Sequence, residues 1–102
     1  NAYKLPEEIP ENVTINLYRI LQESLHNIQK HAKATLVDIQ LIGHKDFITL
    51  NIEDNGIGFN YNEKNNGVGI HNMQSRTEQL KGTFLIDSNK EKGTSILISI
   101  PI

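Results

Sequence analysis

The chain contains no cysteine. That excludes disulfides, thiol nucleophiles and cysteine zinc sites, and it suits a reducing compartment. It also lacks long apolar runs: none approaches the ~20 residues that a membrane-spanning helix requires. The start shows no signal-peptide pattern. Neither sign of charge dominates, with 10 Lys and Arg against 12 Asp and Glu. A net charge of −2 gives no electrostatic footprint for nucleic acid, so none is expected as a direct partner. The four histidines, His26, His31, His44 and His71, show no paired metal-ligand spacing. Position 1 is Asn1 rather than methionine, and the sequence is read as a piece of a longer protein.

What remains is 102 residues, 37% hydrophobic and 22% charged, the profile of a single globular domain with a modest core. Two of its three prolines fall in residues 1–10, which are expected to be a connector with a short edge strand near Tyr3. Pro10 and Glu11 suit a helix start, since proline fits the first turn and an acid complements the dipole. One continuous helix is predicted over 11–32. Val13, Leu17, Ile20, Leu21, Leu25, Ile28 and Ala32 share its apolar face, and Asn16, Glu23, Asn27 and Lys30 border that face. Alternating patterns at 34–43 and 47–53 predict a hairpin turned at 43–46. Residues 60–66 are polar, without periodicity, and predict a mobile loop. A second helix fits 68–81, with Gly82 as its stop. A last hairpin joins 83–88 to 94–100 through a turn at 89–93. Helix, hairpin, loop, helix, hairpin gives an α/β (α+β) two-layer sandwich, with helices on one face of a largely antiparallel sheet.

Asp54-Asn55-Gly56-Ile57-Gly58 ends the strand at 47–53. Such a stretch also forms ordinary hairpin turns. Yet a carboxylate accepts hydrogen bonds from an amine, and glycines let backbone approach a ligand. That combination suits an adenine pocket. Gly67 and Gly69 form a second pair where the second helix begins. Free N–H groups and the helix dipole there suit phosphate. The two pairs bracket one polar loop, able to close over a nucleotide. Gly93 precedes Thr94 in the last hairpin.

These residues resemble the ATP-binding domain of the GHKL superfamily, which includes sensor histidine kinases, DNA gyrase B subunits, MutL proteins and certain chaperones. The histidine-kinase branch is the nearer likeness. Gln22-Glu23-Ser24-Leu25-His26-Asn27 with Lys30-His31-Ala32 looks like its Asn box. Asp54-Asn55-Gly56-Ile57-Gly58-Phe59 looks like the first glycine box. Gly67-Val68-Gly69-Ile70 with Asn72-Met73 and Arg76 looks like the second, and Gly93-Thr94 like the third. The short lid and the lack of a recognisable phenylalanine box are similar to the subfamily that partners LuxR-type response regulators.

The resemblance implies a Bergerat-type ATP-binding fold, with ATP and Mg²⁺ as cofactors. It implies that Asn27 ligates Mg²⁺ through its amide oxygen, a hard donor. It implies that Asp54 accepts from the adenine amine, joined by Thr94 through water. Gly56 and Gly58 would let backbone approach the nucleotide, with Ile57 and Phe59 walling the base or packing in the core. Gly67 and Gly69 would cradle phosphates that Lys30 and His31 face. Glu23 matches the general base of ATP-hydrolysing relatives, or else orients the Mg²⁺ shell. The implied partners are a dimerisation and histidine phosphotransfer domain of the parent protein and a response regulator. The implied location is cytoplasmic, whether or not the parent is anchored in the membrane. His26, in the first helix on the face away from the core, is not expected to be the phosphoacceptor. Two other readings stay open: a free-standing serine kinase of the anti-sigma-factor type, and an interaction module that has lost ATP. Asn27, Asp54 and the four motif glycines argue against the second.

Overall fold

The computed structural model describes residues 2–3, 8–32, 34–56, 67–89 and 93–102. The expected loop at 60–66, Ile57, Gly58, Phe59 and the turn residues 90–92 lie outside the described residues. Strands β1 (Ala2–Tyr3), β2 (Val37–Gly43), β3 (Phe47–Asp54), β4 (Thr83–Asn89) and β5 (Gly93–Pro101) form one sheet in the order β1-β2-β3-β5-β4. Every pairing is antiparallel except that of the two-residue β1 with β2. Helices α1 (Glu11–Asn27) and α2 (Gly67–Gln79) pack on one face. The expected element order and the two-layer α+β architecture are both present.

Parity builds the core. Side chains two apart share a face of a strand. Ile48, Leu50 and Ile52 of β3 and Ile96, Ile98 and Ile100 of β5 therefore line up under the helices, all buried. Val13, Leu17 and Ile20 of α1 and Ile70 and Met73 of α2 cover them. Burying each such aliphatic side chain contributes about 1.5–3 kcal/mol. The same parity carries Asp54, two residues beyond Ile52, onto the covered face at the end of its row.

Three expectations need correction. Leu25 was placed on the apolar face, but it is 40% exposed, and Ser24 takes the buried centre at 1%. Ser24 tolerates that place because its hydroxyl donates to Met73 Sδ at 3.0 Å, so no polar group is stranded. The helix expected to run unbroken to Ala32 is α-helical only to Asn27, then widens into a π-helical turn, Ile28–Ala32. Finally, Gly82 is not the left-handed residue that ends α2. Lys81 is, at φ 60°. Lys81 N–H donates to Glu78 O at 2.9 Å and Gly82 N–H to Thr77 O at 2.9 Å, the paired bonds of a Schellman cap. Gly82 is needed for a different reason: a Cβ there would stand 2.5 Å from Ser99 O on β5.

Candidate functional site

The two central strands meet at one end of the sheet, with Asp54 directly opposite Thr94 in the β3–β5 register. Thr94 in turn faces Ser88 across β5–β4, and their hydroxyls are 2.8 Å apart. A carboxylate and two hydroxyls therefore stand in a row across three strands. Asp54 is 8% exposed. Its Oδ1 accepts the Gly56 N–H at 2.8 Å, a tight turn that holds the carboxylate while leaving Oδ2 without a partner among the described residues. Gly93, at φ 95°, lets β5 start beside this turn, because a Cβ would sit 2.1 Å from Asp54 O.

Polar residues also join the two helices to each other. Asn16 of α1 accepts from Arg76 of α2 at 3.3 Å, while Ser24 meets Met73 further along. Advancing along α1 thus retreats along α2, so the C-terminus of α1 approaches the N-terminus of α2. Asn27 is the last residue of α1 and is half-buried. Lys30 lies exposed in the π turn, and His31 belongs to that turn, although its side chain is outside the described ones. Gly67 and Gly69 occupy the first turn of α2, which carries no acidic residue to compete for its N–H groups. Glu23 is half-buried and lines a shallow cleft of about 100 Å³ with Arg19, Gln22, Asn72, Met73 and Arg76. Gly58 cannot be placed, since it lies outside the described residues.

Residues 12–102 match the family described as "Histidine kinase-, DNA gyrase B-, and HSP90-like ATPase". The chain belongs to that family. Among curated proteins of this family it is 44% identical to the signal transduction histidine-protein kinase/phosphatase DegS of Brevibacillus brevis. That match runs over 97 residues, 94% of this chain and 25% of DegS. It is 36% identical to the sensor protein VraS of Staphylococcus epidermidis over 96 residues, 93% of this chain and 28% of VraS. The chain thus spans about a quarter of the length of the curated relatives it matches. In three dimensions it resembles the histidine kinase domain of the Erythrobacter litoralis EL346 blue-light activated kinase. The TM-score is 0.77 at 18% identity, covering 99% of this chain and 53% of that one. At that identity the likeness establishes the fold.

Within this ATPase fold, two residues beside Asp54 and Thr94 were given no role by the sequence reading. Ser88 carried no signal, being a serine in an exposed-looking strand; only the β4–β5 register puts it against Thr94. Asn55 was visible only as part of a turn and of the first glycine box, with no role of its own. In the structure its Oδ1 accepts the N–H groups of Thr35 and Leu36 at 3.0 and 2.9 Å, and its Nδ2 donates to Thr35 Oγ1 at 2.9 Å. Its own N–H donates to Leu36 O at 3.2 Å. Partners 19 and 20 residues away leave no trace in local sequence.

Proposed function

We propose that this chain is the Mg-ATP-binding catalytic domain of a sensor histidine kinase. The observation that carries the reading is the buried Asp54, locked by the Gly56 N–H through one oxygen with Thr94 opposite it, at the open end of the sheet. A fixed acceptor beside a side-chain-free backbone fits the amine edge of adenine. The start of α2, with two glycines and no acid, fits the phosphates. Asn27 offers one neutral oxygen donor, which fits Mg²⁺, an ion that keeps several waters and takes most other ligands from phosphate. Mg²⁺ would offset charge on the triphosphate. Lys30, His31 and Glu23 are assigned to the phosphate end, with Gly56 and Gly58 against the nucleotide.

In the proposed reaction, an imidazole nitrogen of the acceptor histidine attacks the γ-phosphorus. An N–P bond forms, the bond from γ-phosphorus to the β–γ bridging oxygen breaks, and ADP leaves. What this domain contributes is placement, which carries much of such a barrier. Residues 1–102 would be a single catalytic, ATP-binding domain, with residues 1–10 its connector from the dimerisation and phosphotransfer domain. The acceptor would stand on a dimerisation and phosphotransfer domain of the parent, and a response regulator, of LuxR type, would receive the phosphoryl group. The proposed setting is the cytoplasm; among the described residues no helix is long and apolar enough to cross a membrane.

The test is calorimetry with ADP and a non-hydrolysable ATP analogue, with Mg²⁺ and with chelator. Binding in the micromolar to millimolar range, tightened by Mg²⁺, is expected. No heat and no thermal shift at millimolar nucleotide would overturn the proposal.

A further inference from the structure

We propose that Asn55 is a positioning residue that sets the phosphate end of the site at a fixed distance from its base end. This rests on the nucleotide-binding reading above. Asn55 directly follows Asp54, the residue assigned to the base. Its partners, Thr35 and Leu36, lie just beyond the π turn Ile28–Ala32, which in turn follows Asn27. The clamp therefore closes a ring: from Asn27 through the π turn to residues 35–36, then across to Asn55 and back to Asp54.

The chemistry is specific. Asn55 uses both acceptor positions of its amide oxygen and one of its two amide donors, and its backbone N–H adds a fourth bond to the same two residues. Two N–H donors on one side and a hydroxyl on the other determine which way the amide faces. Asn55, Thr35 and Leu36 are all exposed, so water could satisfy each of these groups separately. The clamp is therefore not there to rescue buried polar groups. What it determines is where the segment after α1 stands relative to the end of β3. A ligand held at both ends feels any drift of one end against the other, because small misplacements cost heavily when several contacts must be made together.

The experiment measures Kd by calorimetry for ADP with Mg²⁺, ADP with chelator, and adenosine. The proteins are the wild-type chain and its Asn55→Ala, Thr35→Val and Thr35→Ser variants. The gain conferred by Mg²⁺ is the ratio of the two ADP constants. Asn55→Ala is expected to reduce that gain about tenfold, while adenosine binding changes less than about threefold. Thr35→Val removes one of the three side-chain bonds and should shift the gain the same way by a smaller factor. Thr35→Ser should restore it. Equal losses for adenosine and Mg-ADP would mean a merely structural role and overturn the proposal, as would an unchanged gain in Asn55→Ala. Should that variant fail to fold, Thr35→Val decides by the same criterion. A wild-type chain that binds no ADP would instead overturn the nucleotide reading, and the clamp with it.

Discussion

Replacing Asp54 by asparagine separates recognition from folding. The side chain keeps its shape, and one of its two oxygens already has a fixed duty, accepting the Gly56 N–H at 2.8 Å. An amide preserves that bond only by placing its oxygen there. Its NH₂ must then stand where Oδ2 was and, in the proposed pose, face the adenine amine, donor against donor. A hydrogen bond to a charged acceptor, worth about 1.5–3 kcal/mol, is lost, and an unmet donor in a closed pocket costs about 1–3 kcal/mol more. Turning the amide around only moves the mismatch to Gly56. A loss of about 3 kcal/mol is expected, roughly 100-fold in Kd for ADP. Guanine carries a carbonyl where adenine has its amine, so the new NH₂ should meet GDP better than the carboxylate did. The ratio of ADP to GDP affinity should fall accordingly. The fold should change little, because the Gly56 bond survives; without nucleotide, Tm should stay within about 4–8 °C of wild type, equivalent to about 1 kcal/mol. Calorimetry with both nucleotides, beside thermal denaturation, checks each arm. Unchanged ADP affinity, or an affinity loss fully matched by unfolding of the free protein, would refute the assignment.

Asn27→Ala should abolish the tightening of ADP by Mg²⁺ while leaving magnesium-free binding largely intact; titrations in chelator and in Mg²⁺ check this. Gly93→Ala should lower Tm by more than 10 °C in a thermal melt. Its φ of 95° is costly for any side chain, and the new Cβ would meet the Asp54 carbonyl at 2.1 Å. Lys81→Gly should raise Tm by several degrees, since Lys81 holds φ 60° at the end of α2 and glycine relieves about 1 kcal/mol there. Gly82→Ala, one residue on, should do the reverse, because a Cβ would press on Ser99 O.

The pairing of these last two variants shows where sequence reading reaches and where it stops. That α2 ends near 80–82 was legible from the glycine and the fading apolar period. Which residue turns left-handed was not, because the choice depends on how close β5 runs to Gly82. Likewise the apolar face of α1 was legible as a stripe of apolar residues, which left out Ser24. Its place became intelligible only with Met73 Sδ as a partner 49 residues away. The widening after Asn27 left no mark in the periodicity, since π and α turns differ by a rotation that one turn cannot reveal. At the proposed site, Asp54 stood out because an acid at a strand end and the glycine spacing after it are both local signals. Thr94 was assigned through the motif resemblance, and the β3–β5 register sets it opposite Asp54. Asn55 and Ser88 were missed for the converse reason, since each acts on a residue that only the fold brings near.

Asp54 and Thr94 also occupy two adjacent interior strands, β3 and β5, each paired along most of its length on both sides. Local opening frees the edges of a sheet well before its middle. Amides in the middle of β3 and β5 are thus expected to exchange with solvent only when the whole domain opens, whereas those of the two-residue β1 exchange through fraying. In the proposed reading the base acceptor stands on one of these strands, its carboxylate already held by the Gly56 N–H at 2.8 Å. Little ordering is left to oppose the docking of a base there. The same placement ties the proposed recognition to global unfolding: a ligand bound at Asp54 and Thr94 would slow exchange throughout the middle of β3 and β5 by the full factor 1 + [L]/Kd, and slow β1 hardly at all.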